Sequence, residues 1–187
     1  MLQNKVVFLT GGASGIVRKC APACAWERAS LGVVDIDAPK AEATAAELRG
    51  ETLAVACDMS DWAAVERAVA AALDRVGRIG AVHNKAGIAA PAKPLDGPTE
   101  AEWGRLPAVN LKSVFWTVRA ALPALKQSRG AILNTASMYL DQIHALGYCP
   151  RSDVIGDAAV FLLTHRARFI TGWILPVSGG AELAYRR

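Results

Sequence analysis

The sequence lacks the features that mark membrane-spanning, metal-binding and secreted proteins. No apolar run approaches the ~20 residues that a transmembrane helix needs, and the N-terminus lacks the basic and apolar regions of a signal peptide. The cysteines at positions 20, 24, 57 and 149 form no CxxC pair, and the histidines at 83, 144 and 165 are isolated. These absences predict a cytoplasmic protein with reduced thiols, no metal site and no membrane contact.

Basic residues are in modest excess, but they do not cluster. The 21 Lys and Arg residues against 17 Asp and Glu give a formal net charge of +4, and no run of them forms a stripe. A scattered excess favours solubility, so no nucleic-acid partner is expected. With 187 residues, 52% of them apolar, the chain has the length and composition of one globular domain spanning residues 1–187.

Residues 5–17, KVVFLTGGASGIV, combine a short apolar run, a glycine-rich turn and the start of a helix. An unbroken apolar run is typical of a strand buried on both faces. Small residues let the backbone close on a pyrophosphate, while free N–H groups and the helix dipole favour its charge. The same pattern also suits an ordinary glycine turn between a strand and a helix, and this segment alone leaves both interpretations open.

Two residues beyond this turn depart from a dinucleotide-binding fingerprint. Val17 stands where the last glycine would let the helix and the strand approach closely. Pro22 lies inside the helix that we expect over residues 14–28, where it removes a backbone hydrogen bond at a cost of ~3 kcal/mol. The pattern therefore predicts a kinked or a short first helix.

A second apolar run, over residues 31–34, ends at Asp35. A carboxylate about 20 residues beyond the glycine turn is placed to accept hydrogen bonds from a ribose 2′-hydroxyl. It would repel a 2′-phosphate, which favours NAD over NADP. Asp35 could equally begin the next turn, and its position alone does not decide between these roles.

Predicted strands and helices alternate along the rest of the chain. Asp61 is a good N-cap for a helix over residues 62–76 that Gly77 ends, and residues 99–102 open a short helix with a capping box. Further helices are expected over 38–49 and 109–127, and strands over 52–57, 81–83 and 130–135. This order predicts an α/β fold, a Rossmann-like doubly wound parallel sheet with helices on both faces. Right-handed crossovers would bring the carboxyl ends of its strands to one edge.

Several segments, in the same order, resemble the cofactor-binding motifs of the short-chain dehydrogenase/reductase family. TGGASGI at 10–16 resembles the cofactor-binding turn, and NKAG at 84–87 resembles the family's Asn-Asn-Ala-Gly segment, with Lys85 replacing the second Asn. Asp35 matches the acidic residue after the second strand, and Asp58-Met59 looks like the pair beside the adenine. The resemblance implies that NAD is bound by Gly11, Ser14, Gly15, Ile16, Asp35, Asp58, Met59, Asn84, Ala86 and Gly87.

The resemblance extends to two catalytic residues. It implies hydride transfer between a nicotinamide and a small alcohol or carbonyl substrate. Ser137 matches the serine that hydrogen-bonds the substrate oxygen, and Asn110 matches the asparagine that holds a water in the proton relay. In such enzymes a tyrosine exchanges the hydroxyl proton, and a lysine four residues later lowers the pKa of that tyrosine.

No Tyr-x-x-x-Lys sequence follows Ser137. Tyr139 is followed at the fourth position by Ile143 and Tyr148 by Ser152, and no lysine occurs after residue 127. The fold is therefore predicted to be truncated by an internal deletion, between about residues 139 and 142, that removes the Tyr-Lys helix, the sixth strand and the substrate lid. Because tyrosine has a pKa near ~10 without a neighbouring cation, we expect very low activity. The alternative is a non-catalytic dinucleotide-binding or interaction protein derived from such an enzyme.

The deletion also has a structural consequence. Family members commonly pair the missing helix with the Asn110 helix to form a dimer face. Without it, the helix over residues 111–125 should keep an uncovered apolar face, which predicts either a partner surface, such as a homo-oligomer contact through this helix, or a risk of aggregation. The last strand, expected over residues 172–177, would pair with the fifth strand or remain at an edge.

Overall fold

A five-stranded parallel sheet forms the centre of the computed structural model, which describes residues 2–3, 5–13, 17–89, 94, 96–136 and 152–177. The strand order is β3-β2-β1-β4-β5, and every neighbouring pair is parallel. Because the chain moves outward in opposite directions from β1, the boundary between β1 and β4 is the topological switch point. The strands are β1 Val6–Thr10, β2 Ser30–Asp35, β3 Thr52–Ala56, β4 Ala81–Asn84 and β5 Ala131–Asn134.

Helices cover both faces of the sheet, as the alternating pattern predicted. They are α1 Val17–Trp26, α2 Ala38–Glu47, α3 Trp62–Val76, α4 Glu100–Pro107, α5 Ser113–Ser128 and α6 Ser152–Leu163. On one face, Leu9 and Val33 of the sheet pack in a core shared with α1, α2 and α6. On the other face, Phe8 and Val82 pack in a core with α3 and α5. The predicted doubly wound Rossmann-like architecture is therefore confirmed.

Local sequence signals placed the ends of several helices correctly. Asp61 caps α3 by accepting a hydrogen bond from the Ala63 N–H at 2.9 Å, and Gly77 ends α3 in the left-handed conformation, with φ of 70°. At α4 the Thr99 hydroxyl accepts from the Glu102 N–H, and the Glu102 carboxylate accepts from the Thr99 N–H. These contacts satisfy N–H groups that a helix start would otherwise leave without partners.

Other predicted boundaries were wrong. The first helix ends at Trp26 rather than residue 28, and its predicted start at residues 14–16 lies outside the described part. The second helix ends at Glu47 rather than residue 49. The helix predicted over residues 109–127 does not begin as an α-helix, because Ala108–Lys112 form a π-helical turn before α5.

The predicted last strand is also wrong. Residues 172–177 belong to no strand and are mostly exposed, since they do not lie along any of the five described strands. The predicted deletion between about 139 and 142 falls outside the described residues. Within the described ranges, no helix combines the length and hydropathy needed to cross a membrane.

Candidate dinucleotide-binding site

The glycine turn after β1 touches the neighbouring strands closely. Gly11 has a φ of +69°, and a Cβ atom added to it would lie 2.9 Å from Cα of Ala86. A Cβ on Gly12 would lie 2.4 Å from Cγ1 of Val33. Side chains at these positions would therefore push the turn away from β2 and from the segment after β4. Glycine is needed here for the backbone to approach both neighbours.

Thr10, at the end of β1, joins the two strands at the switch point. Its buried hydroxyl oxygen accepts hydrogen bonds from the backbone N–H groups of Lys85 at 3.0 Å and Ala86 at 3.1 Å. The predicted Ala86 is thereby held beside Gly11 in one fixed geometry. The sequence pattern gives Thr10 no separate role beyond its place in the TGGASGI motif, although a threonine directly before a glycine turn is a signal for such a contact.

Asp35 lies against the glycine turn, as its position after β2 predicted. Its Oδ2 accepts a hydrogen bond from the Ala13 N–H at 2.9 Å, and its Oδ1 accepts from the Asp37 N–H at 3.0 Å. An ionised carboxylate has about four lone-pair sites, so these two contacts leave capacity for a ribose hydroxyl. The two roles considered for Asp35, a ribose acceptor and the start of the next turn, are thus compatible. Its carboxylate orders the turn that follows β2 and also contacts the glycine turn.

Asp58 and Met59 follow β3, the strand next to Asp35. The Asp58 Oδ1 accepts hydrogen bonds from the Ser60 N–H at 2.8 Å and the Ser60 hydroxyl at 2.7 Å. These bonds, that of the Ser60 side chain foremost, lower the pKa of the Asp58 carboxyl, so Asp58 is ionised near neutral pH. Met59 is buried in the core beneath α3, which leaves Asp58 as the more accessible member of the pair.

The segment after β4 meets the π-helical turn through Asn110. The Asn110 side chain accepts a hydrogen bond from the Ile88 N–H at 2.8 Å and donates one to the Ile88 carbonyl at 2.9 Å. A Cβ on Gly87 would lie 3.4 Å from the Asn110 Oδ1. The π-helical turn therefore aims Asn110 at the loop that carries Ala86 and Gly87. Such turns are frequent at functional sites.

Asn84 ends β4 as a buried polar side chain with unused capacity. Its Nδ2 donates a hydrogen bond to the Asn134 Oδ1 at 2.9 Å, which links the ends of β4 and β5. Its Oδ1 makes no hydrogen bond to the described part of the chain, although it is buried. A buried amide oxygen without a donor is costly, so this atom marks a place where a further donor would be favourable.

His83 is a buried polar residue at this edge to which the sequence pattern alone assigns no site role. It is 1% exposed, its Nε2 lies 2.8 Å from the Thr135 Oγ1, and its Nδ1 has no partner among the described residues. Burial, and secondarily the charge of Lys85, lower the pKa of His83 to about 4. The imidazole is therefore neutral at pH 7. A histidine inside the apolar run AVHN was the available signal.

Seven of the twelve predicted site residues lie together at one edge of the sheet. The carboxyl ends of β1, β2, β3 and β4 carry Gly11, Asp35, Asp58 and Asn84, with Ala86, Gly87 and Asn110 beside them. Ser14, Gly15, Ile16 and Ser137 lie outside the described residues, as do Tyr139 and Tyr148. No group of His, Cys, Asp and Glu side chains suited to a metal occurs in the described part.

The described residues fit a dinucleotide. The glycine turn reaches both neighbouring strands, the Asp35 carboxylate keeps acceptor capacity, and the buried Asn84 oxygen lacks a donor. Ligands of open α/β sheets bind outside the carboxyl ends of the strands at the switch point, and these features surround that point.

Comparison with known proteins points in the same direction. A family profile described as short chain dehydrogenase matches residues 5–148. The chain is 36% identical over 141 residues to levodione reductase of Leifsonia aquatica, covering 72% of this chain and 53% of that protein. It is 39% identical over 170 residues to D-threitol dehydrogenase of Mycolicibacterium smegmatis, covering 85% and 64% of the two chains. It therefore spans about half to two thirds of the length of these curated relatives.

Solved structures share the architecture. A 3-ketoacyl-(acyl-carrier-protein) reductase from Brucella melitensis, complexed with NADH, superposes with a TM-score of 0.89 at 26% identity, covering 97% of this chain and 99% of the other. The crystal structure of a levodione reductase gives a TM-score of 0.91 at 23% identity, covering 98% and 99%. The second likeness shows the fold alone.

Proposed function

The chain belongs to the short-chain dehydrogenase family, and from this membership we propose that it binds a nicotinamide dinucleotide, with NAD preferred over NADP. The observation that carries the preference is the Asp35 carboxylate, fixed beside the glycine turn by the Ala13 N–H at 2.9 Å. A negative charge at this place accepts ribose hydroxyls and opposes a 2′-phosphate.

The other proposed contacts with the dinucleotide come from residues that follow the carboxyl ends of the strands. Gly11, with Ser14, Gly15 and Ile16 of the TGGASGI motif, would hold the pyrophosphate through backbone N–H groups. Asp58 and Met59 would border the adenine. Asn84, Ala86 and Gly87 would line the path toward the nicotinamide, with the buried Asn84 oxygen available to a donor there.

The proposed reaction is oxidation of a small alcohol or reduction of the corresponding carbonyl. The bound nicotinamide would supply or accept the hydride. Ser137 would hydrogen-bond the substrate oxygen. Asn110 uses one lone pair and one N–H on Ile88, and its remaining amide donor and acceptor would hold a water beside the site.

We further propose that turnover is slow. The chain contains no Tyr-x-x-x-Lys sequence after Ser137, and general acid–base help of this kind is typically worth ~10²–10⁴-fold. That absence also favours a second candidate function, a non-catalytic dinucleotide-binding or interaction protein. The two candidates share the cofactor site and differ only in whether a substrate reacts there.

We also propose a cytoplasmic protein that forms a homo-oligomer through the helix at residues 111–125. Leu111 is 69% and Phe115 61% exposed on its outer face. Apolar side chains of this size on one helix face are typical of a contact surface.

Titration of NADH fluorescence tests the cofactor proposal. We expect the wild-type chain to bind NADH more tightly than NADPH, and we expect Asp35→Ala to weaken NADH binding and to reduce the preference by about tenfold or more. Asp74→Ala, at an exposed position of α3, is the matched control and should change neither value. An unchanged preference in Asp35→Ala would remove Asp35 from this role, and absence of NADH binding at millimolar cofactor would overturn both candidate functions.

An assay with secondary alcohols and NAD separates the two candidates. Slow turnover that Ser137→Ala abolishes while NADH binding persists would support a weak dehydrogenase. Binding without any turnover would support the non-catalytic protein.

A further inference from the structure

β5 leaves one backbone edge of the sheet open within the described part of the chain. The N–H groups of Ala131 and Thr135 point toward β4, where they donate to the carbonyls of Gly80 and Asn84. Because backbone groups alternate along a strand, those of Ile132 and Asn134 point away from β4. No described strand pairs with them. An open edge of this kind is a template for an added strand.

A second feature is an exposed apolar segment near the end of the described chain, FITGWILPV at 169–177. Phe169 is 89%, Trp173 75% and Ile174 88% exposed. The segment contains no charged residue, and its β-branched and aromatic side chains have high strand propensity. Exposed apolar surface of this extent marks an interaction site.

The segment and the edge complement each other. Residues 170–175 supply six residues before Pro176, enough to run along the four residues of β5. Pro176 would end the added strand because it has no N–H to donate. Pairing would satisfy the outward-facing groups of Ile132 and Asn134 and would cover the Ile132 side chain, which is 46% exposed.

We propose that two copies of this chain form a dimer by reciprocal exchange, in which residues 170–175 of each copy add a strand to the β5 edge of the other. Within one copy the segment leaves the turn at His165–Ala167 and stands exposed rather than along β5. Reciprocal exchange uses each edge and each segment once, so it closes as a two-fold dimer.

The apolar surface involved is large enough for a stable contact. Each segment carries Phe169 and Trp173, and an aromatic side chain buries ~150–250 Å². Two segments and the surfaces that they cover would together bury on the order of 1,500 Å², within the ~1,200–2,000 Å² of specific interfaces. This contact is independent of cofactor binding and of the helix at 111–125.

Sedimentation equilibrium tests the proposal with two variants and one control. Ile132→Pro removes an N–H from the open edge without touching the β4 ladder, as edge strands allow, and Trp173→Lys places a charge in the segment. We expect each variant to weaken the dimer by at least about tenfold. Trp26→Lys is the matched control, since Trp26 is 80% exposed on α1, and it should leave the dimer unchanged.

Mixing Ile132→Pro with Trp173→Lys tests whether the segment of one copy pairs with the β5 edge of the other. In Ile132→Pro the edge is blocked and the segment is intact, whereas Trp173→Lys has the reverse defect, so an equimolar mixture should recover a heterodimer with one exchanged strand. Circular dichroism confirms that each variant is folded, and Ile132→Lys replaces Ile132→Pro if the latter is not. A monomeric wild-type chain, an association constant that neither folded variant lowers, or a mixture of folded variants that associates no more strongly than either variant alone would overturn the proposal.

Discussion

Single polar side chains at the strand ends hold the candidate site together. Thr10 joins the turns after β1 and β4 through its hydroxyl, and Asp35 joins the glycine turn to the end of β2. Each contact joins segments that are distant in the chain, so each restrains the positions of the loops at the carboxyl edge of the sheet. Local contacts such as Asp58 with Ser60 order one turn only.

At the residue scale, His83 makes stability dependent on pH. Burial lowers its pKa from 6.5 to about 4, so between these values the unfolded chain binds more protons than the folded chain, and stability falls as the pH falls. Because one pKa unit corresponds to about 1.36 kcal/mol, we expect a loss of roughly 3 kcal/mol between pH 7 and pH 4 from this residue.

Urea unfolding at pH 7 and at pH 4 measures this loss. His83→Phe removes the titration and should show a smaller decrease over the same interval than the wild-type chain. Equal decreases in the two proteins would show that His83 does not cause the effect. A proton NMR titration of the imidazole provides the same answer if the variant does not fold.

Helix ends show how local chemistry acts at the scale of an element. α3 has both a capping aspartate and a left-handed glycine, and its predicted bounds were correct. α1 has neither an acidic first turn nor a basic last turn, and Pro22 lies inside it. Its described part is Val17–Trp26, and because its start lies outside the described residues, the expectation of a kinked or short helix stays a prediction.

A pair of glycine substitutions tests how much the left-handed conformation of Gly77 at the end of α3 contributes to stability. Gly77 and Gly104 both have open space around an added Cβ, but only Gly77 has a positive φ, at +70°. We expect Gly77→Ala to destabilise the fold by about 1 kcal/mol and Gly104→Ala, inside α4, to stabilise it by about 0.5–1 kcal/mol. Thermal unfolding of both variants measures the sign, and equal shifts would mean that the conformation at Gly77 is not the deciding factor.

At the scale of the whole molecule, α5 separates two environments. Thr117, Ala121 and Leu125 are buried against the sheet and α3, whereas Leu111 and Phe115 project outward. A single copy of the chain therefore exposes the apolar side chains of Leu111 and Phe115 to water.

Phe115→Lys tests whether this surface associates. We expect the charge to weaken self-association through α5, seen as a lower weight-average mass in light scattering at increasing concentration. Glu66→Lys, at an exposed position of α3, controls for added positive charge. If Phe115→Lys has no effect while Trp173→Lys does, association proceeds through the β5 edge alone.

Elements with strong local signals were predictable from the sequence. The apolar run at residues 6–9 and the alternation of strands and helices indicated the layer order, and the caps at Asp61, Gly77 and Thr99 indicated both ends of α3 and the start of α4, because each signal depends only on neighbours in the chain. The family motifs likewise depend on order and spacing, which the sequence displays directly.

Only the tertiary structure decided what depends on contacts between distant segments. The Thr10 and His83 contacts join strands more than 50 residues apart, and the π-helical turn aims Asn110 at Ile88. The segment at 172–177 has the composition of a strand, yet it forms none, because in a single copy it does not lie along the open edge of β5. Propensity is local, whereas pairing is a property of the assembled sheet.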